Sequence, residues 1–272
     1  MANKFDPNSS QFALYYNGLP FWSANFGQLM LDNIPIKEKM AVLDVGCGTG
    51  FPLLELAERL GSGAELAGID PWNAATEFLR SKIDFSGYSN INVISGSSEE
   101  IPFQDNYFDL IVSNLGLNNF ENKEVILREC KRVLATEGKL AITTNYKGHM
   151  SEFYEAYRQS LIELKLEQYI DAVHADENRR LSIPEIQSLF VKEGFEASNT
   201  VKGSFYLRYP SGTAFLESKF IQMAFMESWK NLLPENDWKK VLNLIENKLN
   251  SVSEEETCLK ITVPMAYLEF QK

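Results

Sequence analysis

The stretch Val42-Leu-Asp-Val-Gly-Cys-Gly-Thr-Gly-Phe51, VLDVGCGTGF, sets an apolar run holding a lone aspartate against three alternating glycines. Its order is strand, turn, helix. Val42 to Val45 is the strand, Gly46, Gly48 and Gly50 mark the turn, and a helix starts near Phe51-Pro52, proline being tolerated in a first helical turn. Glycine at such a turn accepts positive φ and carries no Cβ to hold a ligand off the backbone. The dinucleotide fingerprint is GxGxxG, which seats a pyrophosphate on the helix N-terminus. This turn reads GxGxG, one residue shorter, and Asp44 just before it would repel a pyrophosphate. It suits a ligand with a cationic amino-acid group. The next strand ends in Gly68-Ile69-Asp70, and Asp70 stands 20 residues after Gly50, the separation at which an acid grips ribose hydroxyls. Pro71 and Trp72 follow directly and offer an apolar face to an adenine ring.

Working outward, the pattern from Pro35 alternates strand and helix: strand 40–45, helix 51–60, strand 64–69, helix 73–86, strand 91–95, strand 107–113, helix 121–134 and strand 138–144. Such alternation predicts an α/β fold of the Rossmann-like kind, a seven-stranded, mostly parallel sheet flanked by helices. Ahead of it, residues 1–35 read as an N-terminal arm of two short helices, with Asn8-Ser9-Ser10 a cap and Asn17-Gly18-Leu19-Pro20 a break. Behind the 36–145 core, 146–194 is a helical cap segment: one long helix over 149–174, then a second from Ser182-Ile-Pro-Glu185 to Gly194. Residues 195–272 hold the final strands, 195–209 broken at Gly203 and 259–270, with a helical insertion of two helices at 211–250, the second introduced by Pro234. The whole reads as a single domain.

A formal charge of −11 and a pI near 4.8 argue against a nucleic-acid backbone as partner. Residues 1–150 carry 12 basic and 18 acidic side chains, so that half hides no basic domain. No apolar run approaches the roughly 18 residues a bilayer span needs, and the first residues lack the basic start and apolar core of a leader, so a cytoplasmic protein is expected. Cys47, Cys130 and Cys258 are widely spaced, and with only His149 and His174 beside them no dedicated metal site is expected.

With these residues in view, the chain resembles the class I S-adenosylmethionine-dependent methyltransferases, particularly the small-molecule branch with the ubiquinone and menaquinone C-methyltransferases. The resemblance covers roughly 38–145 and rests on VLDVGCGTG, on GID at 68–70, on Ile94-Ser-Gly-Ser-Ser-Glu-Glu-Ile-Pro-Phe103, on Tyr107-Phe-Asp-Leu-Ile-Val-Ser-Asn114 and on Arg132-Val-Leu-Ala-Thr-Glu-Gly138, in order and correctly spaced. It implies S-adenosylmethionine as cofactor, with S-adenosylhomocysteine as product. Gly46, Cys47, Gly48 and Gly50 would run along the methionine part, Asp44 would face its ammonium, Asp70 the ribose, and Pro71 and Trp72 the adenine. Ser97 and Ser98 would edge the adenine, with Glu99 able to reach in, because the family's usual acid is absent at Ser97. Asn114 would lie beside the sulfonium.

Each feature also has a plainer reading. Asp44 can organise the turn through backbone amides, Asp70 can cap a helix, and Cys47 and Trp72 can simply pack. Tyr15, Tyr16 and Trp22 either close over the cofactor as a lid or pin the arm to the sheet. His149, just past the strand at 138–144, is a general-base candidate or a surface histidine beginning a helix, and Tyr146 is a candidate substrate contact. His174, near a helix end, suits the dipole. The expected reaction is methyl transfer to a small, partly apolar acceptor by in-line displacement. Its rivals are a non-catalytic binder of the same nucleoside and a nicotinamide oxidoreductase, the latter disfavoured by GxGxG and by the lack of any Tyr-x-x-x-Lys pair. The acceptor atom and the oligomeric state are not legible.

Overall fold

The computed structural model describes residues 9–19 and 21–272; the expected cap residue Asn8 and break residue Pro20 lie outside them. Two helices, α1 (Ser10–Asn17) and α2 (Phe21–Leu31), precede β1 (Ala41–Val45), α3 (Leu53–Leu60), β2 (Glu65–Asp70), α4 (Asn73–Ser86), β3 (Ile91–Ser95) and β4 (Phe108–Asn114). Then follow α5 (Lys123–Val133), β5 (Leu134–Asn145), α6 (Ser151–Glu163), α7 (Ile170–Glu177), α8 (Ile183–Lys192) and β6 (Glu196–Tyr209). The chain ends with α9 (Gly212–Glu217), α10 (Lys219–Ala224), α11 (Met226–Lys230), α12 (Glu235–Glu255) and β7 (Leu259–Gln271).

The strands form one seven-stranded sheet in the order β3-β2-β1-β4-β5-β7-β6, with β7 antiparallel, as the α/β alternation predicted. Parallel pairing of β1 with both β2 and β4 buries β1 on both faces, which is why its sequence is an unbroken apolar run apart from Asp44. The order of the strands reverses at β1, so the turn after it opens at the switch point where such sheets bind ligands.

The chain divides into two compact units. One holds Met1–Thr144, Ile183–Lys202 and Met265–Lys272; the other holds Asn145–Ser182 and Gly203–Pro264. In the first, α3 buries Leu53, Leu56 and Ala57, spaced three and four apart, against Val42, Leu66 and Leu110 of the strands. Each such leucine removed from water contributes roughly 1.5–3 kcal/mol. Phe190 of α8 stacks on Phe270 of β7 with centroids 3.9 Å apart. In the second unit, Phe153 stacks on Trp229 at 3.7 Å, the Tyr157 hydroxyl donates to the Trp229 carbonyl at 3.0 Å, and α12 buries Trp238, Val241, Ile245 and Leu249 along one stripe. Among the described residues, no helix is long and apolar enough to cross a membrane.

Beyond residue 145, three expected elements differ. The helix expected over 149–174 breaks after α6, where Lys165 takes φ +56° and the Leu166 amide returns to the Leu161 carbonyl at 2.8 Å. That bond closes a helix as a glycine would, and a lysine there leaves no signal in the sequence. The break expected at Gly203 is absent: β6 runs on through it. The insertion holds four helices, not two, since Ser218 and Phe225 each leave helical geometry, though Pro234 does introduce α12 as expected.

Candidate functional site

The turn after β1 is held from two sides. Gly46, Gly48 and Gly50 have φ of +83°, +49° and +103°, a region unfavourable to side chains. The Gly46 amide donates to the Ile69 carbonyl at 2.8 Å, so the turn is hooked to the end of β2. From there Asp70 reaches back: its Oδ2 accepts from the Gly48 amide and its Oδ1 from the Trp72 amide, each at 2.8 Å. A carboxylate oxygen has more than one acceptor site, so both retain capacity toward a ligand hydroxyl. Burial raises the Asp70 pKa while the Trp72 and Gly48 amides resist.

Asp44 lies one step back, the last residue but one of β1. It is fully buried, and neither carboxylate oxygen has a hydrogen-bond partner among the described residues. Burial first, then repulsion from Asp70, pushes its pKa up to about 8; the Leu53 amide opposes without reaching hydrogen-bond geometry. A buried acid left in this condition is costly unless a ligand completes it. Cys47 points the other way, into the core, and packs so closely over β2 that a Cβ on Gly68 would come within 2.8 Å of its sulfur. Burial pushes its thiol well up, with Asp44 and Asp70 adding to the shift, so the thiolate form is disfavoured.

The arm closes one side of this turn. Phe12 and Tyr16 of α1 both meet the Trp72 ring edge-on, at 5.7 and 5.5 Å. Burial raises the Tyr16 pKa, and the Asp70 charge adds to it. Tyr15 is 38% exposed on the outer side of the same helix, and Trp22 packs on Phe26 within α2 at 5.8 Å. Lys82 of α4, which sequence reading missed, donates to the Thr49 carbonyl of the turn at 2.6 Å and to Asn17 Oδ1 of α1 at 3.1 Å. Phe12 was missed as well. Neither had a signal, because both contacts depend on α1 lying along α4, a pairing set by the fold and not by spacing.

At the end of β3, Ser98 is buried while Ser97 is exposed, and the Ser97 hydroxyl accepts from the Glu99 amide at 3.2 Å. Glu99 itself accepts from Asn122 Nδ2 at 2.6 Å. Asn114, at the end of β4, is buried: its Nδ2 donates to the Ser23 carbonyl at 3.3 Å and its Oδ1 accepts from the Thr143 hydroxyl at 2.6 Å. Its amide therefore ties β4 to α2 and β5. Thus Asp44, the glycines, Asp70, Trp72 and Tyr16 come together.

His149 and Tyr146 belong to the second unit. His149 is 1% exposed, which corrects the surface reading: it sits in the turn before α6, 5.7 Å from the Phe225 ring. Burial pushes its pKa well below the usual value, with Arg180 and Arg179 adding to the shift, so it is neutral. Tyr146 is half-buried. His174 lies in the last turn of α7 with Nδ1 3.6 Å from Glu177 Oε2. Among the described residues no group of three His, Cys, Asp or Glu is placed to hold a metal ion.

Comparison with known proteins places these features in a family. The family described as "Methyltransferase domain" matches residues 36–248. A demethylmenaquinone methyltransferase of Bacillus velezensis is 32% identical over 122 residues, 45% of this chain and 52% of that protein. One from Listeria welshimeri is 36% identical over 100 residues, 37% of this chain and 42% of that protein. The chain thus spans about half the length of the curated relatives it matches. Among solved structures, a SAM-dependent methyltransferase from Aquifex aeolicus shares the fold with TM-score 0.56 at 22% identity, over 73% of this chain and 93% of that one. The chain belongs to the class I S-adenosylmethionine-dependent methyltransferases.

Proposed function

We propose that the protein transfers the methyl group of S-adenosylmethionine to a small, partly apolar acceptor by in-line displacement. The observation that carries the reading is Asp44, a fully buried acid without a hydrogen-bond partner among the described residues, beside a glycine turn whose backbone is already fixed by Asp70. The residues present fit the cofactor. Asp44 answers its ammonium, Asp70 its ribose hydroxyls, and a Cβ on Gly48 would meet nothing, so open space adjoins the turn. Trp72, Pro71 and the buried Ser98 flank the adenine, while Ser97 and Glu99 take a secondary part. S-adenosylmethionine, when bound, supplies an electrophilic methyl on a sulfonium whose thioether leaves without protonation.

The chain's own contribution is then positioning and exclusion of water. Tyr16 and Phe12 hold the Trp72 ring, and Lys82 ties the arm to the turn, so that α1 acts as a cover for the nucleoside. Tyr15 and Trp22 belong to the two helices of that arm. Asn114 sets the spacing of β4 against α2. His149 is a weak base because its protonated form is disfavoured by burial and by two arginines. We give neither His149 nor Tyr146 a part in proton transfer, and the reaction proceeds by proximity without a dedicated base. The acidic charge of the chain supports a small acceptor over a nucleic acid.

Calorimetry with S-adenosylmethionine, S-adenosylhomocysteine and NAD in parallel tests the cofactor; binding of NAD alone overturns the reading. Labelled methyl donor with a metabolite panel tests the transfer. Tight nucleoside binding with no transfer to any acceptor would favour a non-catalytic binder.

A further inference from the structure

Among β1 to β5 every connection carries a helix except the one from β3 to β4. A crossover helix is what ordinarily covers the face of a parallel sheet. Residues 96–107 hold neither helix nor strand, and β3 is an edge strand, so the sheet is thinly covered there. A cavity of about 270 Å³ results, lined by Glu65 and Ala67 of β2, Asn92 of β3, and Phe103, Tyr107 and Phe108. It lies within the first unit, at the amino ends of the strands: Glu65 begins β2 and Phe108 begins β4. Asp70 ends β2 five residues further on, roughly 16 Å away, so the cavity is separate from the glycine turn.

The lining has one electrostatic sign. The Phe103 ring lies 5.5 Å from that of Tyr107 and 4.8 Å from that of Phe108, and the last two are 4.9 Å apart. Phe108 is buried, whereas Phe103 and Tyr107 are half-buried and keep ring surface open. The Tyr107 hydroxyl donates to Glu65 Oε2 at 2.5 Å, which fixes the carboxylate at the tip of the ring. Its remaining lone pairs stay available. Glu65 is the only charged residue of the lining. Ring faces carry partial negative charge and the carboxylate a full one, so the cavity attracts a cation in two ways. No cation of the lining answers either.

We propose that Glu65, Phe103 and Tyr107 form a binding site for a small methylated ammonium ion. The charged centre lies against the open ring surface with Glu65 beside it. The rings select for methylation. An ammonium rich in N–H groups would give up water that they do not replace, while a methylated one gives up little. Size agrees as well, because the cavity falls just below the roughly 300–1,000 Å³ of sites for drug-sized ligands and suits an ion of a few carbons. The site lies at the opposite end of the strands from the glycine turn and does not depend on methyl transfer.

Calorimetric titration of the full chain with choline, neohexyl alcohol and ethanolamine tests it. Choline saturates one site. Neohexyl alcohol, of the same shape with carbon in place of the charged nitrogen, binds at least about fivefold more weakly, and ethanolamine, charged but without the methyl groups, is weaker than choline too. Glu65→Gln still accepts the Tyr107 hydroxyl, so the fold is kept; its choline affinity falls at least about threefold while its affinity for S-adenosylhomocysteine is unchanged. Phe103→Leu removes one ring and weakens choline in the same way, and if it fails to fold the glutamine variant carries the test. Choline binding that is absent, or no tighter than that of neohexyl alcohol, overturns the site, as does undiminished choline binding by Glu65→Gln. Ethanolamine binding tighter than choline overturns the choice of a methylated ion. Displacement of choline by saturating S-adenosylhomocysteine places the probe at the glycine turn and overturns the separate site.

Discussion

Replacing Asp44 by asparagine isolates the property on which the site reading rests. Its carboxyl ionises near 3.8 when exposed and at about 8 in the folded chain. Between those values the folded state holds a proton that the unfolded state has released, so stability falls as pH rises through that window and is level above it. At about 1.4 kcal/mol for each pH step, the loss reaches roughly 3 kcal/mol by pH 6 and on the order of 5 kcal/mol by pH 8. Asparagine has nearly the shape of the protonated acid and does not titrate. The two proteins should therefore match to within ~1–2 kcal/mol near pH 4, and the variant should be the more stable by several kcal/mol at pH 8. Urea unfolding of both proteins from pH 4 to 8.5 reads the difference, in which all other titrating groups cancel. Ligand binding should show the reverse. S-adenosylhomocysteine should bind the variant ~10–100-fold more weakly, the loss of a charge-assisted contact. On the wild type it should release close to one proton at pH 6–7. A stability difference that does not change with pH, or one that favours the wild type as pH rises, would refute the argument: an acid with access to water titrates alike in both states, and one with a partner is stabilised as the carboxylate.

The remaining predictions concern the neighbours of Asp44. Asp70→Ala removes the acceptor of the Gly48 and Trp72 amides and should weaken S-adenosylhomocysteine binding by at least about 1–3 kcal/mol by calorimetry; an unchanged affinity removes Asp70 from the site. Lys82→Met cuts the tie between α1 and the turn, and should speed proteolytic cleavage in the arm and raise the ligand off-rate several-fold; equal cleavage rates would show that the arm is held by its aromatic contacts alone. Gly50→Ala meets both φ +103° and the Leu79 side chain 2.4 Å from the new Cβ. It should cost ~1–3 kcal/mol in thermal unfolding and weaken ligand binding with it.

What the sequence displayed was whatever depends on neighbours in the chain. Strands β1 to β4 and helix α4 follow from apolar periodicity, and the acids at their ends follow from strand length, so Asp44 and Asp70 could be placed before any coordinates. Where the chain departs from expectation, the cause is tertiary. Strand β5 begins at Leu134, ahead of the expected 138, because a register shift lets Phe108 pair with Leu134 and Leu110 with Lys139 across an irregular stretch. That stretch is partly exposed and has no strand pattern to read. The cover over the site was hidden for the same reason: 65 residues separate Asn17 from Lys82. Only the packing of α1 on α4 brings them together, and with them Phe12 onto Trp72.

The two acids at the turn carry opposite duties, and their opposition explains the arrangement. Asp70 spends its hydrogen bonds on the backbone of the turn, so the glycines are already in position when a ligand arrives and little ordering remains to be done. Asp44 spends none, and its repulsion by Asp70 deepens its need for a positive partner. A hydrogen-bonded Asp44 would make a more stable protein and a poorer receptor for an ammonium group. Stability and affinity are therefore drawn from the same carboxylate. It follows that the ligand should stabilise this fold most at the alkaline end of its range, where the unliganded chain is weakest.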